Sequence, residues 1–530
     1  MNSEQALLAL ELSEGCTREQ VQSQYRRLAE LALKAGETSK VSELMQARKI
    51  LLSQEPINSL RKTEQASEGA LVVKHILSST RNTFITGPGG TGKSHILRNL
   101  QNMLKDKNIA VLAFTGIAAM NVNGETIHKF FKFKPVSGLS CQNHSVISPR
   151  EATKLKSLDL LVIDEVSMLS ADMLDAIDQK LQAARRNDKP FGGVRVLFFG
   201  DPYQLPPVPN RKDVQMHKRL MDKYPLGNWF FEADCYSEAN FETIGLKTNH
   251  RADDSDESGR KFVEALRKVR TGETNQALVD YFNQRVNCEP QFPIFLVLVG
   301  SNEAVDRINN ANLEKIKNEL FAFSGQVRFV DRNSDSVEDW RTVPVEKNLE
   351  LKVGAQVMFV KNDDQGGHMV SGAPEPRWVN GTQGVVERID HKAESIWVKV
   401  IKINAKGDST NVFEVKKSTF DVIVHTDHKR VLRNGAQRVD LEPKVVMSYV
   451  QFPLRLAYAL TIHKSQGQTY PSMKFDPKGT FEDGQLYVAL SRATKLEAIG
   501  LINPLTLDQI KVNKHVVQFM KEANPLFFIE

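Results

Sequence analysis

The sequence predicts an α/β fold: two lobes on parallel sheets with crossover helices, a small antiparallel barrel inserted into the second, and a helical module in front. Three observations predict it. Short β-rich runs alternate with helical stretches from about residue 60. A glycine-rich turn separates one such run from the helix after it. Residues 350–450 switch to short alternating strands broken by Gly and Asn-Gly turns. The 530 residues are 41% hydrophobic and 25% charged. These are ordinary values for a globular chain and exclude disorder or collagen as the main architecture. The longest apolar runs, such as IFLVLV at 294–299, fall far short of the ~20 residues a membrane span needs.

Residues 1–57 read as a small helical module. Thr17 and Gln20 form a capping box, Val21, Tyr25, Leu28 and Ala32 share a helical face, and Gly36 can close the helix. A further helix starts at Ser39, turns Val41, Leu44, Met45 and Leu51 inward, and stops at Pro56. The first sixty residues hold seven Lys and Arg against eight Asp and Glu, a net −1, so with +6 over the whole chain residues 61–530 carry +7. A polyanionic partner is therefore expected to meet that part of the chain. Cys16, Cys141, Cys235 and Cys288 are too far apart for a CxxC site and too few for a disulfide framework. The first thirty residues hold five glutamates and no leader-like apolar stretch, so a reducing, cytoplasmic location without membrane contact is expected.

The first lobe is expected over 58–245, with strands in TFIT (83–86), AVLAF (110–114), LLVID (160–164) and VRVLFFG (194–200). Between TFIT and the helical SHILRNLQNML lies GPGGTGKS, residues 87–94, which fits G-x-x-x-x-G-K-[ST]. Gly87, Gly89, Gly90, Thr91 and Gly92 let backbone N–H groups approach phosphates, and the helix N-terminus adds its positive end. In such a loop Lys93 reaches the β- and γ-phosphates of a nucleoside triphosphate and Ser94 ligates Mg²⁺. At the end of LLVID, Asp164 is placed to hold Mg²⁺ and Glu165 to polarise an attacking water. Gln204, in the DPYQLPP stretch after the third strand, either senses the γ-phosphate or caps a Pro-rich loop. A small insertion is expected near 130–157. Its Phe130, Phe131 and Phe133, interleaved with Lys129, Lys132 and Lys134, read either as a separation wedge that stacks bases or as core.

The second lobe is expected over 246–378 and 452–530, with the barrel at 379–451 built from stretches such as GTQGVVERI, SIWVKVIKI and FDVIV. TIHKSQGQT, residues 461–469, is polar and glycine-containing. Its Thr461, His463, Lys464 and Ser465 suit contacts to the phosphates of a single strand. Thr115 and His128 are the counterparts on the first lobe. Taken singly, each reads equally well as a loop polar residue or a helix cap.

Together these stretches resemble the Pif-type (Pif-one) helicases of superfamily 1B, relatives of the RecD and Dda helicases. KLQAARRNDKPFGGVRVLFFGDPYQLPPV at 180–208 carries the resemblance furthest. LAFTGIAA at 112–119, GETIHKFF at 124–131, LKVGAQVMFVKND at 351–363, VNGTQGVV at 379–386, FPLRLAYALTIHKSQGQT at 452–469 and LYVALSRAT at 486–494 extend it over about 58–505. The resemblance implies two RecA-like lobes sharing one ATP. Arg492, in ALSRAT, reads as a cation delivered across the cleft to the γ-phosphate. The resemblance makes Arg251 a second such cation, although His250-Arg251-Ala252 stands where the family usually has Phe-Arg-Gln. Gln65, in LRKTEQ, is the implied adenine-reading glutamine.

The implied activity is an ATP-dependent DNA helicase, moving five-prime to three-prime on single-stranded DNA and opening duplex junctions in replication, recombination or repair. The implied form is a monomeric motor. The phosphate site alone would equally serve a DNA-stimulated ATPase acting as a loader or switch. The N-terminal module resembles a J-domain in its Tyr25-Arg26-Arg27-Leu28-Ala29 stretch but lacks the His-Pro-Asp tripeptide, leaving a site for a protein partner as its expected role.

Overall fold

The computed structural model describes residues 67–133, 147–207, 214–252, 256–290, 294–330 and 338–528, apart from a few short gaps, and isolated positions before Ser67. Met1–Leu71 forms one unit and Val72–Glu530 another. In the first unit Leu10, Ala32, Leu44 and Ala47 are buried. Ala32 and Leu44 are helical, in keeping with the inward faces read from the sequence. The rest of the module, Gln65 and residues 134–146 lie outside the described residues.

The second unit begins with strands β1 (Thr83–Thr86), β2 (Ile109–Ala113), β3 (Glu125–Thr126), β4 (Leu160–Asp164), β5 (Arg195–Gly200) and β6 (Glu242–Gly245). They form a six-stranded sheet in the order β3-β2-β4-β5-β1-β6, parallel throughout. Continuous apolar runs such as LLVI suit strands covered on both faces. One face packs Ile96, Leu97 and Leu100 of the helix Lys93–Met103. The other packs Leu174, Ile177 and Leu181 of the helix Ala171–Arg185. A parallel sheet sets its strand ends along one edge, and a ligand crevice opens there. The glycine-rich loop after β1, Asp164 ending β4 and Asp201 after β5 all lie on that edge.

Next come β7 (Leu296–Val299), β8 (Leu320–Ser324), β9 (Gln326–Phe329), β10 (Asn348–Lys352), β11 (Gln356–Phe359), β12 (His368–Val370) and β13 (Ala373–Glu375). They are followed by β14 (Gln383–Asp390), β15 (Ser395–Asn404), β16 (Gly407–Val415), β17 (Ser418–Val431), β18 (Gln437–Gln451) and β19 (Leu454–Leu456). The last strands are β20 (Ala459–Thr461), β21 (Met473–Phe475) and β22 (Ile499–Leu501). The second parallel sheet is four-stranded, ordered β20-β7-β21-β22. The region between β7 and β20 is antiparallel and begins at β8, earlier than the expected 379. It consists of an open five-stranded sheet, β16-β15-β14-β11-β19, a three-stranded sheet, β17-β18-β9, and two-stranded pairs. No closed barrel forms among the described residues, because β16 and β19 each pair on one side only.

Of the two readings of 130–133, the structure takes the core: Phe130 and Phe131 are buried in the first lobe and do not form a base-stacking wedge. Lys154 pins the segment, its Nζ 2.9 Å from the Phe130 carbonyl and 3.6 Å from the centre of the Phe130 ring. The β17–β18 hairpin reaches this place, and Ile423 O accepts from Lys129 Nζ at 3.4 Å. One expectation changes toward the C-terminus, where the chain returns to the first lobe instead of staying with the second. Phe519, on the helix Lys514–Glu522, stacks on Phe231 at 4.1 Å. Leu526 then adds to the edge of β6, donating its N–H to Thr243 O at 2.9 Å and accepting from Gly245 N–H at 2.8 Å.

Candidate active site

The glycine-rich loop has the backbone its sequence demands. Gly90 and Gly92 sit at φ +94° and +80°, left-handed values that glycine adopts without strain. Gly92 caps the helix Lys93–Met103, whose free N–H groups and dipole make an anion site. Thr91 is 3% exposed and closes the turn by donating its hydroxyl to Pro88 O at 2.9 Å. Lys93 curls over the loop and donates to Gly87 O at 2.6 Å and Pro88 O at 2.9 Å. Burial lowers its pKa, while the nearby Asp201 and Glu165 charges act the other way.

Asp164 and Glu165 follow the buried run of β4. Burial and then the neighbouring Glu165 charge push the Asp164 carboxyl up to about 7. Ser94 is exposed in the first turn of its helix and lines the same cavity as Asp164 and Glu165. Glu165 lies at φ +51°, a left-handed conformation rare outside glycine and asparagine. Its carboxylate accepts from Gln466 Nε2, on the second lobe, at 3.0 Å.

The two arginines come from the second lobe and meet the loop at Gly89. A Cβ on Gly89 would stand 3.0 Å from Arg251 Nη1 and 3.2 Å from Arg492 Nη2. Arg492 is 1% exposed, donating to Val488 O at 2.8 Å, Gln468 O at 3.2 Å and Ser491 Oγ at 2.8 Å. Arg251 donates to Thr469 Oγ1 at 2.7 Å, Ser491 O at 3.0 Å and Gly467 O at 3.3 Å. These partners are carbonyls and hydroxyls, and no carboxylate among the described residues is bonded to either guanidinium. Burial first, then Arg492, lower the Arg251 pKa to about 9. Two cations held close by neutral dipoles form a site that favours an anion.

Gln204 is 5% exposed, and its Oε1 has no hydrogen-bond partner. It lies where the lobes touch, since a Cβ on Gly484 would be 2.7 Å from Gln204 O. The signature stretch at 180–208 builds scaffold. Asp178, just before it, accepts the Phe191 N–H, and Arg185 donates to Gly192 O at 2.8 Å. Phe191 is fully buried at φ +55°.

A cavity of about 1420 Å³ runs from Ser94, Asp164 and Glu165 along the first lobe, the antiparallel sheets and the 461–469 loop. Of the expected track residues, Thr115, His463 and Lys464 line it. Thr115 is also a helix cap, accepting the Ala118 N–H at 3.2 Å. Thr461 and Ser465 are buried in the loop's own structure: Thr461 Oγ1 accepts Lys464 N–H at 3.2 Å, and Ser465 Oγ donates to Ile462 O at 2.7 Å. His128 packs edge-on against Phe114, ring centres 5.6 Å apart.

Sequence reasoning missed Asn362, Asn380, Thr382 and Gln383 on the opposite wall. Gln383 is 8% exposed, and among the described residues neither polar atom of its side chain has a partner. It also missed Tyr487 and Arg270. The signal for Asn380, Thr382 and Gln383 was the VNGTQGVV stretch, which places Asn380, Gly381 and Thr382 at a turn before a strand that starts at Gln383.

Comparison with known proteins agrees with this geometry. The profile of the PIF1-like helicase family matches residues 62–279. The chain is 30% identical over 455 residues to the ATP-dependent DNA helicase Pif1 of Bdellovibrio bacteriovorus, covering 85% of this chain and 90% of that one. It is 28% identical to the Campylobacter jejuni ATP-dependent DNA helicase Pif1, covering 84% and 95%. Among solved structures, Bacteroides sp Pif1 in complex with ADP-AlF4 superposes with a TM-score of 0.71 at 29% identity, covering 86% of this chain and 96% of that one. Bacteroides Pif1 bound to ssDNA gives 0.57 at 28% identity, with the same coverage. The parallel sheets, the loop between their edges and this likeness along most of the chain lead to one conclusion: the chain belongs to the Pif1-like family of helicases.

Proposed function

We propose that this ATP-dependent DNA helicase moves five-prime to three-prime along single-stranded DNA, with ATP bridging its two lobes and the strand lying in the cavity beside it. The observation that carries the reading is the meeting of Arg251 and Arg492 with Gly89. The phosphate loop belongs to one lobe and the arginines to the other, so a γ-phosphate there pulls the lobes together and its loss lets them part. Lys93 and the loop amides hold the phosphates, Glu165 orients and deprotonates the attacking water, and Arg251 and Arg492 stabilise the charge that develops. Gln204, at the lobe contact, senses whether the γ-phosphate is present. Gln65 is assigned to the adenine.

Asp164 and Ser94 fit Mg²⁺. A buried carboxylate whose ionisation is opposed by burial and by Glu165, beside an exposed hydroxyl on the same cavity, is a hard-oxygen donor set, and Mg²⁺ takes its remaining ligands from phosphates and water. When bound, the ion supplies charge neutralisation at the phosphates.

The Asn, Gln, Thr, His and Lys side chains on the cavity walls support contacts to a single strand's backbone and base edges. The test is strand displacement on duplexes with five-prime or three-prime tails, with ATP hydrolysis followed in parallel. Displacement from the five-prime-tailed duplex alone is the expected result. Displacement from the three-prime tail reverses the direction, and DNA-stimulated hydrolysis without displacement makes the chain a loader.

A further inference from the structure

The phosphate loop has a partner that the nucleotide chemistry does not require. Gly89 N–H donates to the phenolic oxygen of Tyr487 at 3.0 Å. Tyr487 donates its own proton to Asp201 Oδ2 at 3.3 Å. Asp201, fully buried, is gripped by Arg270, with Nη2 at 2.8 Å from Oδ1 and Nε at 3.1 Å from Oδ2. The Arg270 guanidinium also lies 4.3 Å from the centre of the Tyr203 ring. Gly89 and Asp201 belong to the first lobe, Tyr487 and Arg270 to the second.

A phenol has one hydrogen. Accepting from Gly89 while donating to Asp201 fixes the direction of its O–H, and with it the position of the helix Gln485–Leu490. Arg492 comes directly after that helix and is bonded back to it through Val488 O. Gly89 therefore touches both groups: its N–H holds Tyr487, and its Cα faces Arg492 Nη2.

We propose that Tyr487 is a positioning residue for ATP hydrolysis: its hydroxyl clasps Gly89 to Asp201 across the cleft and so sets Arg492 in register with the transferring phosphate. Burial and the Asp201 charge keep the phenol protonated, so the clasp persists over the working pH range. Arg270 holds the Asp201 side chain in place from the far side, so the same carboxyl accepts from the guanidinium and from the Tyr487 hydroxyl. The proposal rests on the assignment of Arg492 to the phosphate, which the Arg492→Ala variant tests by itself.

The experiment is a double-mutant cycle on the full chain, measuring kcat and KM of single-strand-stimulated ATP hydrolysis. Tyr487→Phe keeps the ring and removes only the hydroxyl. It should lower kcat about tenfold, leave the ATP KM within about threefold, and leave the thermal midpoint unchanged. In an Arg492→Ala background the same change should cost less than about twofold, because the group being positioned is gone. Three results would overturn the proposal: a Tyr487→Phe kcat within about twofold of the parent, a full tenfold loss on top of Arg492→Ala, or a fall in thermal midpoint accompanying the loss. If Arg492→Ala alone is silent, the phosphate assignment fails and the proposal falls with it, an outcome distinct from a silent Tyr487→Phe beside a slow Arg492→Ala.

Discussion

The nucleotide cleft and the cavity wall beside it use polar residues in opposite ways. In the cleft, charged side chains are tied to neutral groups and stay available: Lys93 to carbonyls, Arg492 to carbonyls and a hydroxyl. On and behind the wall, hydroxyls are spent on the backbone: Thr115, on the wall, accepts the Ala118 N–H, and Ser465, buried behind it, donates to Ile462 O. The groups left unpaired there are amides such as Gln383. A short hydroxyl side chain reaches its own backbone, whereas Arg, Lys and Gln reach past it. Motif position therefore identifies a cleft residue better than a wall residue.

The largest effects should fall in the cleft. Lys93→Ala should abolish measurable hydrolysis and weaken nucleotide binding together. Glu165→Gln should lower kcat about 10²-fold or more while nucleotide binding, followed by a fluorescent ATP analogue, persists. Near-parental turnover by Glu165→Gln would remove it as the base and leave its bond to Gln466 as its role.

Arg492→Ala is expected to cut single-strand-stimulated kcat about 10²-fold, with ATP affinity far less affected than in Lys93→Ala. Equal losses in affinity and rate would mean that Arg492 binds ATP in the ground state, which blurs the distinction between it and Lys93.

On the wall the expected effects are smaller and opposite in kind. Gln383→Leu should weaken single-stranded DNA binding about fivefold, the worth of about one hydrogen bond, and should not lower the thermal midpoint. Unchanged DNA binding, read by fluorescence anisotropy, would take Gln383 off the track.

Thr115→Ala should do the reverse. Loss of a helix cap costs about 1 kcal/mol of stability, seen in urea titration, and DNA affinity should hold within about twofold. Thr115→Ser should restore the stability. A DNA defect in Thr115→Ser would show that the threonine methyl touches the strand.

The sequence by itself determined the first lobe and the chemistry of its edge. The β-rich runs, the loop at 87–94 and the carboxylates after LLVID are contiguous, and a strand–loop–helix unit places its own residues through local backbone geometry. The core of 130–133, the course of residues 514–528 and the open form of the antiparallel region were decided by tertiary structure. The Phe and Lys pattern at 129–134 suits a wedge or a core alike; Lys154 and Lys180, from other elements, bind the Phe130 and Phe131 carbonyls, and the rings stay inside. The helix Lys514–Glu522 has an apolar face that any lobe could bury, and the packing of Phe519 on Phe231, Phe230 and Tyr236, with Val516 beside Trp229, selects the first. The clasp from Gly89 through Tyr487 to Asp201 and Arg270 joins residues up to 398 apart in the chain. No periodicity or spacing encodes such a contact; it exists because two sheets present their strand ends to one another, and that depends on the packing of the whole chain.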